Sequence, residues 1–100
     1  MRIPDTVKIG GKHYSVIRTE NLHLGAAYHS AEVDYFEQEI RLRKRNDEGE
    51  KVDFLHEIMH CIMDFLGYAE HDEKQIDEIA NALYMMITDN PEMFMEETKK

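Results

Sequence analysis

The sequence predicts an α+β domain, with a small antiparallel sheet of three or four strands packed on two amphipathic helices and a short terminal helix. Three observations predict it. Apolar and polar residues alternate through positions 7 to 18 and 31 to 43, the period of half-buried strands. From position 48 onward apolar residues recur at three- and four-residue steps, the period of helices with a buried face. The 100 residues, 42% hydrophobic and 33% charged, suffice for one domain spanning 1 to 100.

Val7-Lys8-Ile9 leads into Gly10-Gly11, a pair suited to positive φ, and Tyr14-Ser15-Val16-Ile17-Arg18 follows, which reads as a hairpin. Positions 19 to 30 lack a period and read as loop, with room for one helical turn at Gly25-Ala26-Ala27-Tyr28. A second hairpin joins Ala31-Glu32-Val33-Asp34-Tyr35 to Glu39-Ile40-Arg41-Leu42-Arg43, with Val33, Tyr35, Ile40 and Leu42 on one face. The first helix runs from about residue 48 to 66 on the stripe Val52, Leu55, Met59, Ile62, Met63 and Leu66, and Gly67 ends it. A second starts after Asp72, whose Asp-x-x-Gln pattern with Gln75 caps the first turn, and carries Ile76, Ile79, Ala80, Leu83 and Ile87. Asn90-Pro91 then opens a short helix with Met93 and Phe94.

Charge separates the halves. Residues 1 to 47 hold eight Lys/Arg and seven Asp/Glu, residues 48 to 100 hold four and fourteen, so the net −9 arises in the helical half. Such a balance argues against nucleic-acid backbones and anionic lipid surfaces, and no run approaches the length of a membrane span. One cysteine, Cys61, allows no intramolecular disulfide, and no N-terminal apolar stretch precedes a cleavage site, so a reducing, cytoplasmic setting is expected. Met85, Met86, Met93 and Met95 read as an exposed or dimer-facing patch, which makes a homodimer one expectation.

The chemistry concentrates at His56-Glu57-Ile58-Met59-His60. Four-residue spacing puts both imidazoles on one helix face a turn apart, as ligands of a single metal ion require. Glu57, rotated about one hundred degrees from His56, can reach a metal-bound water but is poorly placed to ligate. His13, His23 and His29 lack such a partner and read as ordinary histidines. A catalytic zinc usually takes three protein ligands. Glu73, Asp77, Glu78 and His71 are the candidates for the third; Glu78 falls opposite the apolar stripe, whereas Asp77 and Glu73 share its flank. Asn81 and Tyr84 lie on that flank too, the first able to hydrogen-bond a ligating histidine and the second able to donate to an oxyanion or simply to pack at the boundary.

Taken together, Val7-Lys8-Ile9-Gly10-Gly11-Lys12-His13-Tyr14, the hairpin ending Ile40-Arg41-Leu42-Arg43, Phe54-Leu55-His56-Glu57-Ile58-Met59-His60 and Ile79-Ala80-Asn81-Ala82-Leu83-Tyr84 resemble a family of small phage-encoded and bacterial metallopeptidase-like proteins related to the minimal gluzincin core. The resemblance implies a zincin-like fold and a third ligand four residues before Asn81, which selects Asp77. That position is usually Glu, so Glu73 stays open as the substitute, with Asp77 behind it. The resemblance also implies an edge strand that pairs with an extended peptide, assigned to residues 39 to 43. The expectation is therefore Zn²⁺ held by His56, His60 and Asp77, with Glu57 as general base and Tyr84 as a further catalytic group, acting on a peptide or protein substrate. A metal-binding module without turnover is the other class.

Overall fold

The computed structural model describes residues 1 to 20, 22 to 24, 27, 28 and 30 to 95, with backbone alone at 23, 24, 27 and 28. Strands β1 (Thr6–Ile9) and β2 (Lys12–Thr19) form the first hairpin, closed by Gly10 at φ +58° and Gly11 at φ +86°, a turn that only residues tolerant of positive φ make cheaply. Where a loop with a helical turn was expected, β3 (His23–Leu24) pairs with β4 (Ala27–Tyr28). Ala27 and Tyr28 are therefore extended; Gly25 and Ala26 lie outside the described residues, as does His29. The second hairpin joins β5 (Ala31–Asp34) to β6 (Glu39–Arg43), with Val33 opposite Ile40 and Ala31 opposite Leu42. Tyr35 falls in the turn, where Asp34 Oδ1 accepts the Glu37 N–H at 3.0 Å.

The two hairpins meet through their second strands, giving the order β1-β2-β6-β5. Because β2 and β6 run parallel, with Val16 opposite Ile40, the four-stranded sheet is mixed rather than wholly antiparallel. The reason lies in β6, whose Ile40 and Leu42 are fully buried. A central position covers such a strand on both sides, whereas the half-buried β5 tolerates an edge. The expectation that residues 39 to 43 form the edge is thus overturned. The edge on that side is β5.

Helix α1 (Asp47–Leu66) starts where Asn46 accepts the Gly49 N–H at 2.7 Å and ends at Gly67, φ +96°, in the left-handed conformation. Against the sheet it presents Phe54, Ile58 and Cys61, which close a core with Tyr14, Ile40 and Leu42. This is a second apolar stripe, offset from the predicted one through Val52, Leu55 and Met59. Two stripes mean two neighbours: the sheet on one side and helix α2 (Glu73–Asp89) on the other. Asp72 caps α2 by accepting from Lys74 and Gln75. Among the described helices and strands α2 packs on α1 and the terminal 3-10 turn (Pro91–Phe94), and it buries Ile76 and Ala80. Met85, Met86, Met93 and Met95 are exposed. No helix among the described residues is long and apolar enough to cross a membrane.

The N-terminal turns of α1 bury two carboxylates. Arg45 donates from Nε and Nη2 to both oxygens of Asp53, at 2.8 and 3.0 Å, and its backbone N–H donates to Glu50 at 2.8 Å. Arg18 supplies the second charge beside Glu50. Gly49 makes room, since a Cβ there would lie 2.5 Å from the Arg45 guanidinium carbon. Arg45→Leu leaves Asp53 buried without its partner and is expected to cost roughly 1–3 kcal/mol in denaturant unfolding. Lys51→Ala, which breaks a pair with the exposed Asp47, should leave the unfolding midpoint close to that of wild type in the same measurement.

Candidate metal centre

Helix α2 runs back along α1 after a short connection, so residues later in α2 lie beside residues earlier in α1. Glu73, in the first turn of α2, therefore meets His60 near the end of α1, and Asp77 meets His56 one turn back. The three side-chain groups that converge are His56, His60 and Glu73. His56 Nε2 lies 3.2 Å from Glu73 Oε1, His60 Nε2 lies 3.2 Å from the same oxygen, and the two Nε2 atoms are 3.3 Å apart. A tetrahedral ion with ligand bonds of about 2.0–2.1 Å has ligand atoms about 3.3–3.4 Å from one another. The triangle has the size of one face of such a tetrahedron, and this group could hold a metal ion.

Glu73, not Asp77, closes the group. Asp77 Oδ1 stands 3.6 Å from His56 Nδ1, behind the imidazole rather than at its metal-facing nitrogen. Helical angle alone places Glu73 and Asp77 on one flank; the register of α2 on α1 separates them. His71, another candidate ligand, lies 2.7 Å from His60 Nδ1, also on the far side of the ring. Glu78 faces solvent, 3.8 Å from Lys74. Asn81 donates its amide to the Asp77 carbonyl at 2.9 Å, within its own helix, so it does not orient a histidine.

A cavity of about 510 Å³ opens over the triangle. Ala31, Val33 and Tyr35 form one wall, Glu73 and Asp77 the other, and His56, Glu57 and His60 the floor. Tyr84 is absent from this lining. It sits eleven residues beyond Glu73, about 16 Å along the helix, and its electrostatic neighbour is Lys51. The tyrosine at the cavity is Tyr35, whose hydroxyl comes to 3.4 Å from the His60 carbonyl oxygen and whose phenol is held protonated well above its ordinary range by burial. Read as one more face residue of a strand, Tyr35 gave no sign of this in the sequence, because the turn after Asp34 redirects it.

Burial tunes the ionisable floor. His60, 9% exposed, has its imidazolium form disfavoured by burial, which leaves a neutral ring with a lone pair to give. Glu57, 6% exposed, is pushed from an ordinary carboxylate value of 4.5 up to about 8, first by burial and then by the charges of Glu73, Asp53 and Glu32. Cys61, adjacent in sequence, is buried against Tyr14 on the sheet side and is pushed up to about 12, an unreactive thiol away from the ligands.

The chain matches no family model, no curated protein and no solved structure.

The Glu57 shift carries a pH dependence. Between pH 4.5 and about 8 the folded metal-free protein holds a proton on Glu57 that the unfolded chain releases. Stability attributable to this group is therefore full below the unfolded value and declines as pH rises toward the folded one, by at most a few kcal/mol. Glu57→Gln should flatten that decline in chelator-treated protein, so that the variant is the more stable form at pH 8 and differs little at pH 5. Thermal melts across this range read it directly; a steeper decline in the variant would contradict the assignment.

Proposed function

We propose that the chain is a zinc-dependent peptidase with His56, His60 and Glu73 as metal ligands and Glu57 as general base. The observation that carries this reading is the 3.2–3.3 Å triangle of ligand atoms with a buried carboxylate on the same cavity floor. Zinc is favoured over magnesium or calcium by the donor set, since two imidazoles and one carboxylate suit a borderline-soft ion in a four-coordinate site. When bound, the metal supplies a Lewis acid that lowers the pKa of a water toward about 7 and polarises a carbonyl.

The chain's own residues do the rest. Glu57 takes a proton from the attacking water on one carboxylate oxygen and returns it to the leaving amine, and a base whose pKa lies near neutrality can do both. Burial provides that pKa, and a nearby cation offsets part of it by favouring the carboxylate. Tyr35 is the hydroxyl on the cavity wall. Strand β5, the last of the four-stranded sheet, whose Ala31 and Val33 line the cavity, offers backbone groups to which an extended peptide can add as a strand, so that its carbonyls pass over the metal group. The resemblance to gluzincin-like proteins supports the roles of His56, His60 and Glu57; it implies Asp77 as third ligand with Glu73 as the substitute, and it gives the peptide-binding edge to residues 39 to 43 rather than to β5.

Protein purified without a histidine tag should carry about one zinc per chain, as judged by elemental analysis. Chelation should lower the melting temperature, and one equivalent of zinc should restore it, because an ion bound only by the folded state stabilises it by mass action. Glu57→Gln should keep the zinc and lose at least about a hundredfold in the rate of cleavage of an unfolded protein or a peptide library. Full zinc loading without cleavage by wild type would instead identify a metal-binding module without turnover, and unchanged cleavage by the variant would remove Glu57 from the mechanism.

A further inference from the structure

Behind the ligand nitrogens the two histidines are held differently. His56 Nδ1 faces a carboxylate, Asp77, at 3.6 Å. His60 Nδ1 faces another histidine, with His71 Nδ1 at 2.7 Å and the two rings tilted by 24° at a centroid distance of 5.0 Å. The second nitrogen of His71, Nε2, lies 3.0 Å from the Tyr68 carbonyl oxygen.

With both rings neutral, hydrogen-bond chemistry assigns the ring hydrogens along this chain. A carbonyl oxygen only accepts, so His71 Nε2 must carry the hydrogen. A neutral His71 then has a bare lone pair at Nδ1, and the 2.7 Å contact is a hydrogen bond only if His60 donates from its own Nδ1. That leaves the His60 Nε2 lone pair bare, facing Glu73 and His56. We propose that His71 is a positioning residue that locks His60 in the Nδ1–H tautomer, through a chain anchored on the Tyr68 carbonyl, so that Nε2 is committed to a metal ion. The inference rests on the reading of His56, His60 and Glu73 as a metal site and adds the group that prepares it.

The backbone makes the anchor possible. Gly67 turns the chain in the left-handed conformation and Tyr68 N–H donates to the Met63 carbonyl at 3.0 Å, which ties Tyr68 to the end of α1. Three residues later His71, one position before the cap of α2, reaches back to the carbonyl oxygen of the same residue. The connection between the helices thus orients a ligand as well as joining the elements. A solvent-exposed histidine side chain prefers its hydrogen on Nε2, so the tautomer required here has to be imposed, and a bonded neighbour at Nδ1 imposes it.

The experiment combines two readouts. In ¹⁵N-labelled protein, recorded with and without zinc, a nitrogen–nitrogen coupling across the hydrogen bond should connect His60 Nδ1 to His71 Nδ1, with the ring hydrogens on His60 Nδ1 and His71 Nε2. Zinc affinity, measured by competition with a chromogenic chelator, should fall about 10–100-fold in His71→Phe. His71→Asn should recover most of that loss, because the amide oxygen of Asn occupies the place of Nδ1 and accepts the same hydrogen. A hydrogen on His60 Nε2 in the metal-free protein, or wild-type affinity in a folded His71→Phe, would overturn the proposal. If wild type binds no zinc, the metal-site reading fails, while the coupling in metal-free protein still decides the hydrogen bond. Should His71→Phe not fold, the coupling and the His71→Asn affinity decide it.

Discussion

Helix α1 lies between two neighbours, and this constraint governs what its residues can be. Phe54, Ile58 and Cys61 face the sheet, and the opposite side receives α2. Charged residues near the seams are consequently buried, and each must find compensation or a use. Glu50 has Arg18 and the Arg45 backbone, and Asp53 has the Arg45 guanidinium. His60 has Glu73 on one nitrogen and His71 on the other. Glu57 is the exception, with no hydrogen-bond partner among the described residues to offset its burial, and its pKa rises accordingly. A group kept at that cost in the floor of a cavity, beside three converging ligand atoms, is where chemistry is to be sought.

Much of this was legible in the residues because local signals are strong where the chain changes direction. Gly10-Gly11, Gly67, Asp72 and Asn90-Pro91 each mark a boundary through their own conformational or capping chemistry, and each boundary falls there. The α+β class and the helix carrying both histidines follow from period alone. Sheet order does not. That β2 and β6 run side by side in parallel depends on which strand most needs covering, and the 0% exposure of Ile40 and Leu42 is a property of the assembled sheet. Likewise one apolar stripe on α1 was evident, whereas the second, spaced by the same steps through Phe54, Ile58 and Cys61, is recognised only once two layers claim the helix.

The choice between Glu73 and Asp77 shows the same limit at atomic scale. Both lie on one flank of α2, four residues apart, so angle cannot rank them. What ranks them is how far α2 has slid along α1, which the six-residue connection from Gly67 to Asp72 controls. With Gly67 stopping α1 and Asp72 starting α2, the first turn of α2 falls beside His60, and the longer Glu side chain spans the gap between the helices. Asp77 then arrives opposite His56 from behind. The same antiparallel register carries Tyr84 away from the cavity, toward Lys51, so one geometric fact places both residues.

That connection also explains why so small a domain can present a defined ligand group. Each imidazole needs its far nitrogen occupied if the near one is to point steadily at an ion. His56 and His60 share a helix, yet their rear partners come from elsewhere: Asp77 from the second turn of α2, and His71 from the loop just before it. The two partners are six residues apart and bracket Glu73. A single stretch, 71 to 77, therefore supplies Glu73 and both rear contacts, so the candidate group is completed by docking one short segment onto α1. An ion at this group would couple to the docking of α2: by tying Glu73 to His56 and His60 it would also fix the helix whose packing, among the described elements, rests on α1 and one terminal turn.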